Sequence, residues 1–314
     1  MARKLILHIG TPKTGSTSVQ HTLFAHRDQL AAAGVHWGDS TREPRAAAPR
    51  HSSVSHALRR GPRKWDAERD AILADFDASG HDTLLLSDEV LSECGAKAIA
   101  RMAEFAAPFE TTVICYLRRQ DRYVESLWNQ YCGEGRREPR SIRKFATARE
   151  VRKRLDYGAM LDAWRGVGTV KAVSFDAARS ALVPGFLGAL GLDMTLTDEV
   201  RKNVSPSMNC AALLAQLNRQ GVTYNRAKVI KAFRHDTLKT ALGRTLRRAL
   251  LAELQDANTE LAARYGVTFD DTMPDEPDRP LYAPTEAALA HAISRLAPGR
   301  KAGAKAKDAT DPTG

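Results

Sequence analysis

The opening of the chain limits its possible folds more than any other feature. Lys4-Leu5-Ile6-Leu7-His8-Ile9 runs into Gly10-Thr11-Pro12-Lys13-Thr14-Gly15, and Ser16-Thr17-Ser18 then starts a new pattern. A short apolar run bounded by glycine and proline reads as a buried parallel strand. Beyond it, Val19, Leu23, Leu30 and Ala33 share one face of a helix that ends before Gly34. A parallel strand needs a crossover to reach its neighbour, so a strand, a tight loop and a helix in that order point to an α/β fold.

The rest of the sequence repeats the alternation. Apolar runs at Thr83–Leu86, Thr112–Leu117 and Val170–Phe175 follow helical stretches, the last of them around Leu155–Trp164. The expected architecture is three-layered, with a central parallel sheet of four to five strands and a helical C-terminal extension from about residue 206. Residues 36–63 lack periodicity and read as a long irregular loop with a short helix inside it. In the extension, Leu242, Leu246, Leu250 and Leu254 lie four apart on one helix face. Pro274, Pro277, Pro280 and Pro284 then interrupt the chain before a last helix near Thr285–Leu296. The domain is read as residues 1–297, and 298–314 as a disordered basic tail without large apolar side chains.

Composition narrows the function classes. With 43% hydrophobic and 27% charged residues, the 314-residue chain is neither disordered nor collagen-like nor a disulfide scaffold. No apolar stretch reaches the ~20 residues of a membrane span, and the basic start lacks the apolar core of a secretory signal. A cytoplasmic protein is therefore expected. Cys94, Cys115, Cys132 and Cys210 form no C-x-x-C pair and read as reduced, mostly buried thiols. The 47 Lys+Arg against 37 Asp+Glu give +10, which suits nucleic acid, an anionic membrane or an anionic small molecule.

The first loop decides among these. A glycine-rich turn feeding a helix presents backbone N–H groups and the positive end of the helix dipole, which suits a phosphate. Its spacing resembles the nucleoside-triphosphate P-loop, and the expected sheet is accordingly P-loop NTPase-like. Gly10 and Gly15 fit that pattern, but Ser16 stands where the P-loop has lysine, and Lys13 lies upstream. Asp88 or Glu89, after Leu84-Leu85-Leu86-Ser87, would supply the magnesium carboxylate of a kinase or ATPase, which is the alternative reading.

Pro12-Lys13-Thr14-Gly15-Ser16-Thr17-Ser18 resembles the 5′-phosphosulfate loop of sulfotransferases that use 3′-phosphoadenosine 5′-phosphosulfate (PAPS), in particular bacterial carbohydrate-type members. That family places its loop lysine before Thr-Gly, as Lys13 is placed here. Its 3′-phosphate element is an arginine at a strand end and a serine eight residues on. Arg118 and Ser126 stand at that separation, with Gln120 where many members have proline. The resemblance implies PAPS as donor, no metal, and transfer of a sulfuryl group to an acceptor hydroxyl, with a carbohydrate as the expected acceptor. Pro12, Lys13, Thr14, Gly15, Ser16, Thr17 and Ser18 would hold the 5′-phosphosulfate, and Arg118 and Ser126 the 3′-phosphate. Arg201 and Asn203, in a segment similar to the family's Asn-x-Ser, would lie near the donor. Lys13 would act on the leaving phosphate, and Glu89 or His51 would serve as base. Asp88 reads equally as a helix cap. A nucleic-acid-binding protein is the remaining alternative, although the sequence lacks the interleaved aromatic and basic residues of single-strand readers.

Overall fold

A computed structural model describes residues 2–39, 49–133, 136–196 and 205–273. Five strands, β1 (Lys4–His8), β2 (Val35–Trp37), β3 (Thr83–Ser87), β4 (Glu110–Leu117) and β5 (Thr169–Ser174), form one sheet in the order β2-β3-β1-β4-β5. Every pairing is parallel, with Leu5 opposite Leu84 on one side and Thr111 on the other. The chain leaves β1 for strands on one side and later returns to its other side at β4. This puts the carboxyl end of β1 at a topological switch point, where open α/β sheets leave a ligand crevice.

Between β1 and β2 lie α1 (Ser16–Ala25) and α2 (Arg27–Ala32); α3 (Ser52–Arg60) and α4 (Pro62–Ser79) precede β3, and α5 (Ala96–Ala106) precedes β4. After β4 come α6 (Gln120–Gly133), α7 (Ile142–Ala146), α8 (Arg149–Arg152) and α9 (Tyr157–Arg165). Past β5 the regular elements among the described residues are helices: α10 (Phe175–Ala178), α11 (Leu182–Ala189), α12 (Met208–Arg219), α13 (Arg226–Ala232), α14 (Arg244–Glu253) and α15 (Gln255–Tyr265). No helix among the described residues is long and apolar enough to cross a membrane.

The strand period of two explains why β1 and β3 read as unbroken apolar runs. Leu5, Leu7, Leu84, Leu86, Val113 and Cys115 face a core shared with α3, α4, α5 and α9. Ile6, Leu85, Ile114 and Tyr116 face the opposite core, under α1 and α11. Both faces are covered, so both residue parities must be apolar. Each leucine sealed this way contributes roughly 1.5–3 kcal/mol.

Two local expectations change. The helix expected to run to Gly34 is broken at His26, whose Nδ1 lies 2.8 Å from the Thr22 carbonyl oxygen. The stretch read as a loop from residue 36 begins inside β2, where Val35 and Trp37 are buried; three residues are too few to show a period. The expected helix near Thr285–Leu296, the tail 298–314, and Arg201 and Asn203 lie outside the described residues.

A third core gathers around α6. Tyr123, Val124, Leu127, Trp128 and Cys132 pack with Phe145 of α7, Leu213, Leu214 and Leu217 of α12, Val229 of α13 and Leu250 of α14. The same helix also carries buried charge. Arg119 donates to both carboxylate oxygens of Asp121, at 2.7 and 2.9 Å, and Arg247 of α14 pairs with Asp121 and with Glu125 at 2.7 Å. Arg119, Asp121 and Arg247 are all at most 2% exposed. Burial works against the Asp121 charge, yet the two arginines hold its carboxyl below the usual range.

Candidate active site

The loop between β1 and α1 is fixed by backbone bonds to β4. Thr11 N–H donates to the Tyr116 carbonyl at 2.9 Å, and Tyr116 N–H donates to Gly10 at 2.6 Å. Thr14 closes the turn from within, its hydroxyl donating to the Thr11 carbonyl at 2.5 Å. Lys13, half-buried, holds a left-handed backbone at φ 68. Gly15, at φ 78, caps α1 without a side chain, and none caps the helix in its place. The first turn of α1 therefore keeps open N–H groups at Gly15, Ser16 and Thr17, aimed where an anion would sit. A Cβ on Gly15 would come within 2.5 Å of Leu182 and 3.0 Å of Phe175, so α10 and α11 press on the loop from outside. Pro12, Thr17 and Ser18 are half-buried, whereas Thr14 and Ser16 are buried.

Arg118 stands at the carboxyl end of β4, and its Nη1 donates to the Lys13 carbonyl at 3.5 Å. Its Nε is buried without a hydrogen-bond partner, and its guanidinium lies 5.6 Å from the centroid of the Phe175 ring. Burial pulls its pKa below the ordinary arginine value, with Asp176 opposing and Arg179 reinforcing. This cation is desolvated but contacts no carboxylate directly among the described residues, so an anion would complete it. Arg119, one residue on, turns away into the buried network of α6 and also donates to the backbone carbonyls of Asp270 and Thr272, at 2.6 and 2.8 Å. Ser126 is half-buried on α6, two turns beyond Arg118 and one beyond Arg122. Arg122 in turn meets Asp176 at 3.2 Å.

The end of β3 supplies the carboxylates. Glu89 is seated by two donors: Arg50 reaches Oε1 at 2.5 Å and Gln20 of α1 reaches Oε2 at 3.0 Å. A Cβ on Gly10 would lie 2.7 Å from the Glu89 Cα, so the glycine lets the two turns touch. Gln20 also donates to the Ser87 hydroxyl at 3.2 Å, and that hydroxyl lies 2.8 Å from His8 Nδ1. Burial pushes the His8 imidazole down to about 4, with Glu89 opposing, so the ring is neutral near pH 7. Asp88 is fully buried and accepts from Val90 N–H at 3.1 Å. Burial and then Glu89 push its carboxyl up to about 6.

His51 does not join the crevice. Its ring is buried, Nδ1 accepts from Ser87 N–H at 2.9 Å, and Nε2 lies 2.6 Å from the Gly38 carbonyl oxygen. Both nitrogens are used in tying β2, β3 and α3 together, and none is left for a substrate proton. Gln20, Arg50, Ser87 and His8 carried no sequence signal for a site.

No protein-family profile matches this chain, and no curated protein sequence matches it. Among solved structures it is similar to a sulfotransferase from Alicyclobacillus acidocaldarius, with 15% identity and a TM-score of 0.45. That comparison covers 76% of this chain and 98% of the other.

Proposed function

We propose that the protein transfers a sulfuryl group from PAPS to an acceptor hydroxyl, with a carbohydrate as the acceptor class. The observation that carries this reading is the junction of two motifs 105 residues apart. Arg118 is bonded to the Lys13 carbonyl, and its buried Nε is left unpartnered beside an uncapped helix start. Two anion-seeking groups open into one crevice, which suits a ligand with phosphate at both ends. The open amides of Gly15, Ser16 and Thr17 would hold the 5′-phosphosulfate. Arg118 and Ser126 would hold the 3′-phosphate.

In the reaction the acceptor oxygen forms a bond to sulfur while the bond from sulfur to the 5′-phosphate oxygen breaks. The negative charge that grows on that leaving oxygen lies where Lys13 and the loop amides can stabilise it. Glu89, held by Arg50 and Gln20 against Gly10, would take the acceptor proton. His51 acts here as a structural bridge. Asp88 fits a cap better than a magnesium ligand, since it is buried, engaged with Val90 and shifted towards its neutral form. That weighs against the kinase reading, as does Ser16 in the place of the P-loop lysine.

A thermal-shift comparison tests the donor. Adenosine 3′,5′-bisphosphate at ~100 Kd should add about 2.7 kcal/mol of stability. ATP with magnesium should add far less, and Arg118→Ala should abolish the difference. Equal or greater stabilisation by ATP–magnesium overturns the reading.

A further inference from the structure

The core under α1 holds more polar groups than its packing requires. Gln20 of α1, Ser87 at the end of β3 and His8 at the end of β1 are all completely buried. The core they enter is otherwise apolar, with Ile6, Val19, Leu23 and Phe186, and the His8 ring stands nearly edge-on to the Phe186 ring at 5.2 Å. Gln20 Oε1 and His8 Nε2 are buried there without a hydrogen-bond partner among the described residues. Apolar side chains in those places would avoid two unpaired polar atoms, so the polar ones call for a reason.

The hydrogen bonds run in one direction. The Glu89 carboxylate, paired with Arg50, only accepts, so the Gln20 amide turns its nitrogen to Oε2 at 3.0 Å. The same nitrogen donates its second hydrogen to the Ser87 hydroxyl oxygen at 3.2 Å. Ser87 is thereby an acceptor, and its own hydrogen is left for His8 Nδ1, 2.8 Å away. The ring can accept it because burial pushes the His8 pKa down to about 4, which keeps the imidazole neutral near pH 7. The His8 proton then sits on Nε2, the atom without a partner. A flipped Gln20 amide would set its oxygen against the carboxylate, so the chain has one stable arrangement.

The chain also links the donor loop to the carboxylate. Gln20 lies four residues after Ser16 on α1, one turn along the same buried face. One short helix therefore carries both the open loop amides and the group that fixes Glu89 Oε2. The other oxygen, Oε1, is met by Arg50, whose side chain is 27% exposed. Of the two donors on Glu89, only Gln20 is locked by the core.

We infer that Gln20 is a positioning residue: oriented by Ser87 and His8, its amide sets the Glu89 carboxylate at a fixed distance from the phosphosulfate loop. The inference rests on the sulfuryl-transfer reading with Glu89 as base. Transfer requires that spacing, because the base must meet the acceptor hydroxyl while the acceptor oxygen faces sulfur.

The test uses the full chain with PAPS, water serving as the acceptor and sulfate leaving as product, and follows release of adenosine 3′,5′-bisphosphate. Gln20→Met keeps the side-chain length and removes both polar atoms. It should lower turnover about ten-fold or more, while the melting temperature and stabilisation by the bisphosphate stay as in the wild type. Gln20→Asn, which keeps the amide on a shorter side chain, should lose turnover as well, and Ser87→Ala should lose less than either. In a Glu89→Gln background Gln20→Met should cost nothing further, since it acts through Glu89 alone. In crystals of Gln20→Met with the bisphosphate, the Glu89 carboxylate should turn away from α1. An unmoved carboxylate, an equal loss in the Glu89→Gln background, or a turnover loss matched by lost bisphosphate stabilisation overturns the inference. Normal turnover in Gln20→Met beside an impaired Glu89→Gln overturns it and leaves the base reading standing. Normal turnover in Glu89→Gln overturns the base reading, and the inference with it.

Discussion

The sheet and the helical region around α6 are held together by different physics. In the sheet, Leu5, Leu7, Leu84, Leu85 and Leu86 are completely buried, and the fold follows from removing apolar side chains from water on two faces. Around α6 an apolar core is joined by Arg119, Asp121, Glu125 and Arg247, a set of charges that are themselves buried. Glu125 Oε1 also accepts the backbone N–H groups of Ala241 and Leu242, at 2.6 and 2.8 Å. The apolar contacts tolerate many residues of the right size. The charges require their partners, so they fix how α14 sits on the helix that carries Ser126. The α6 region is thus built for register, while the sheet supplies a rigid floor.

The largest expected effect tests that difference directly. Arg247→Ala leaves Asp121 and Glu125 without their shared cation and should cost about 3–5 kcal/mol, the loss typical of breaking a buried pair. Chemical denaturation would measure it. Arg247→Met made together with Asp121→Leu and Glu125→Leu should recover much of the loss, whereas no such rescue is available for Leu86→Ala in the sheet.

Lys13 separates stability from activity on the sheet side. Lys13→Gly removes a side chain from a left-handed position, which should leave the melting temperature unchanged or slightly raised. Turnover should fall by about 100- to 1,000-fold, the range for losing one group that stabilises transition-state charge. Normal turnover would remove Lys13 from the mechanism. Glu89→Gln should lower turnover by about 100-fold or more while donor binding holds. His51→Asn should instead lower stability, through the bridge between β2 and β3, and the two variants together tell base from bridge.

The smallest effect concerns pH. Asp88 has a raised carboxyl pKa, so its contribution to stability is present below the unfolded value near 4 and lost as pH rises to about 6. His8 is lowered to about 4, so its contribution has the opposite sign and grows as pH rises from about 4 to 6.5. The two nearly offset each other over one window. Asp88→Asn should make stability climb with pH there, and His8→Asn should make it fall, each by on the order of 1–3 kcal/mol. Parallel slopes in both variants would break the pairing.

Much of this architecture was legible in the residues. The runs at 4–9, 83–86, 112–117 and 170–175 each coincide with a strand, and β1, β3 and β4 are plain to see because a strand buried on both faces has no polar parity to disguise it. β2 escaped notice because three residues show no pattern. The loop 10–15 and the pair Arg118 and Ser126 stood out because phosphate chemistry needs particular residues at particular spacings. Of the two candidate bases, only Glu89 lies against the loop. His51 resembled a functional residue in sequence because a histidine's role depends on what its two nitrogens meet, and here both meet backbone.

The sequence by itself determined the α/β class, the glycine-bounded loop 10–15 and the cationic excess of residues 205–252, since each depends on residue type and local spacing. The tertiary structure alone decided which of two adjacent arginines faces the loop, Arg118 entering the crevice and Arg119 entering the core. It also brought Gln20 and Arg50 onto Glu89. Those outcomes depend on contacts between residues tens of positions apart, where local pattern carries no information. The packing of the sheet and of α6 brings them together.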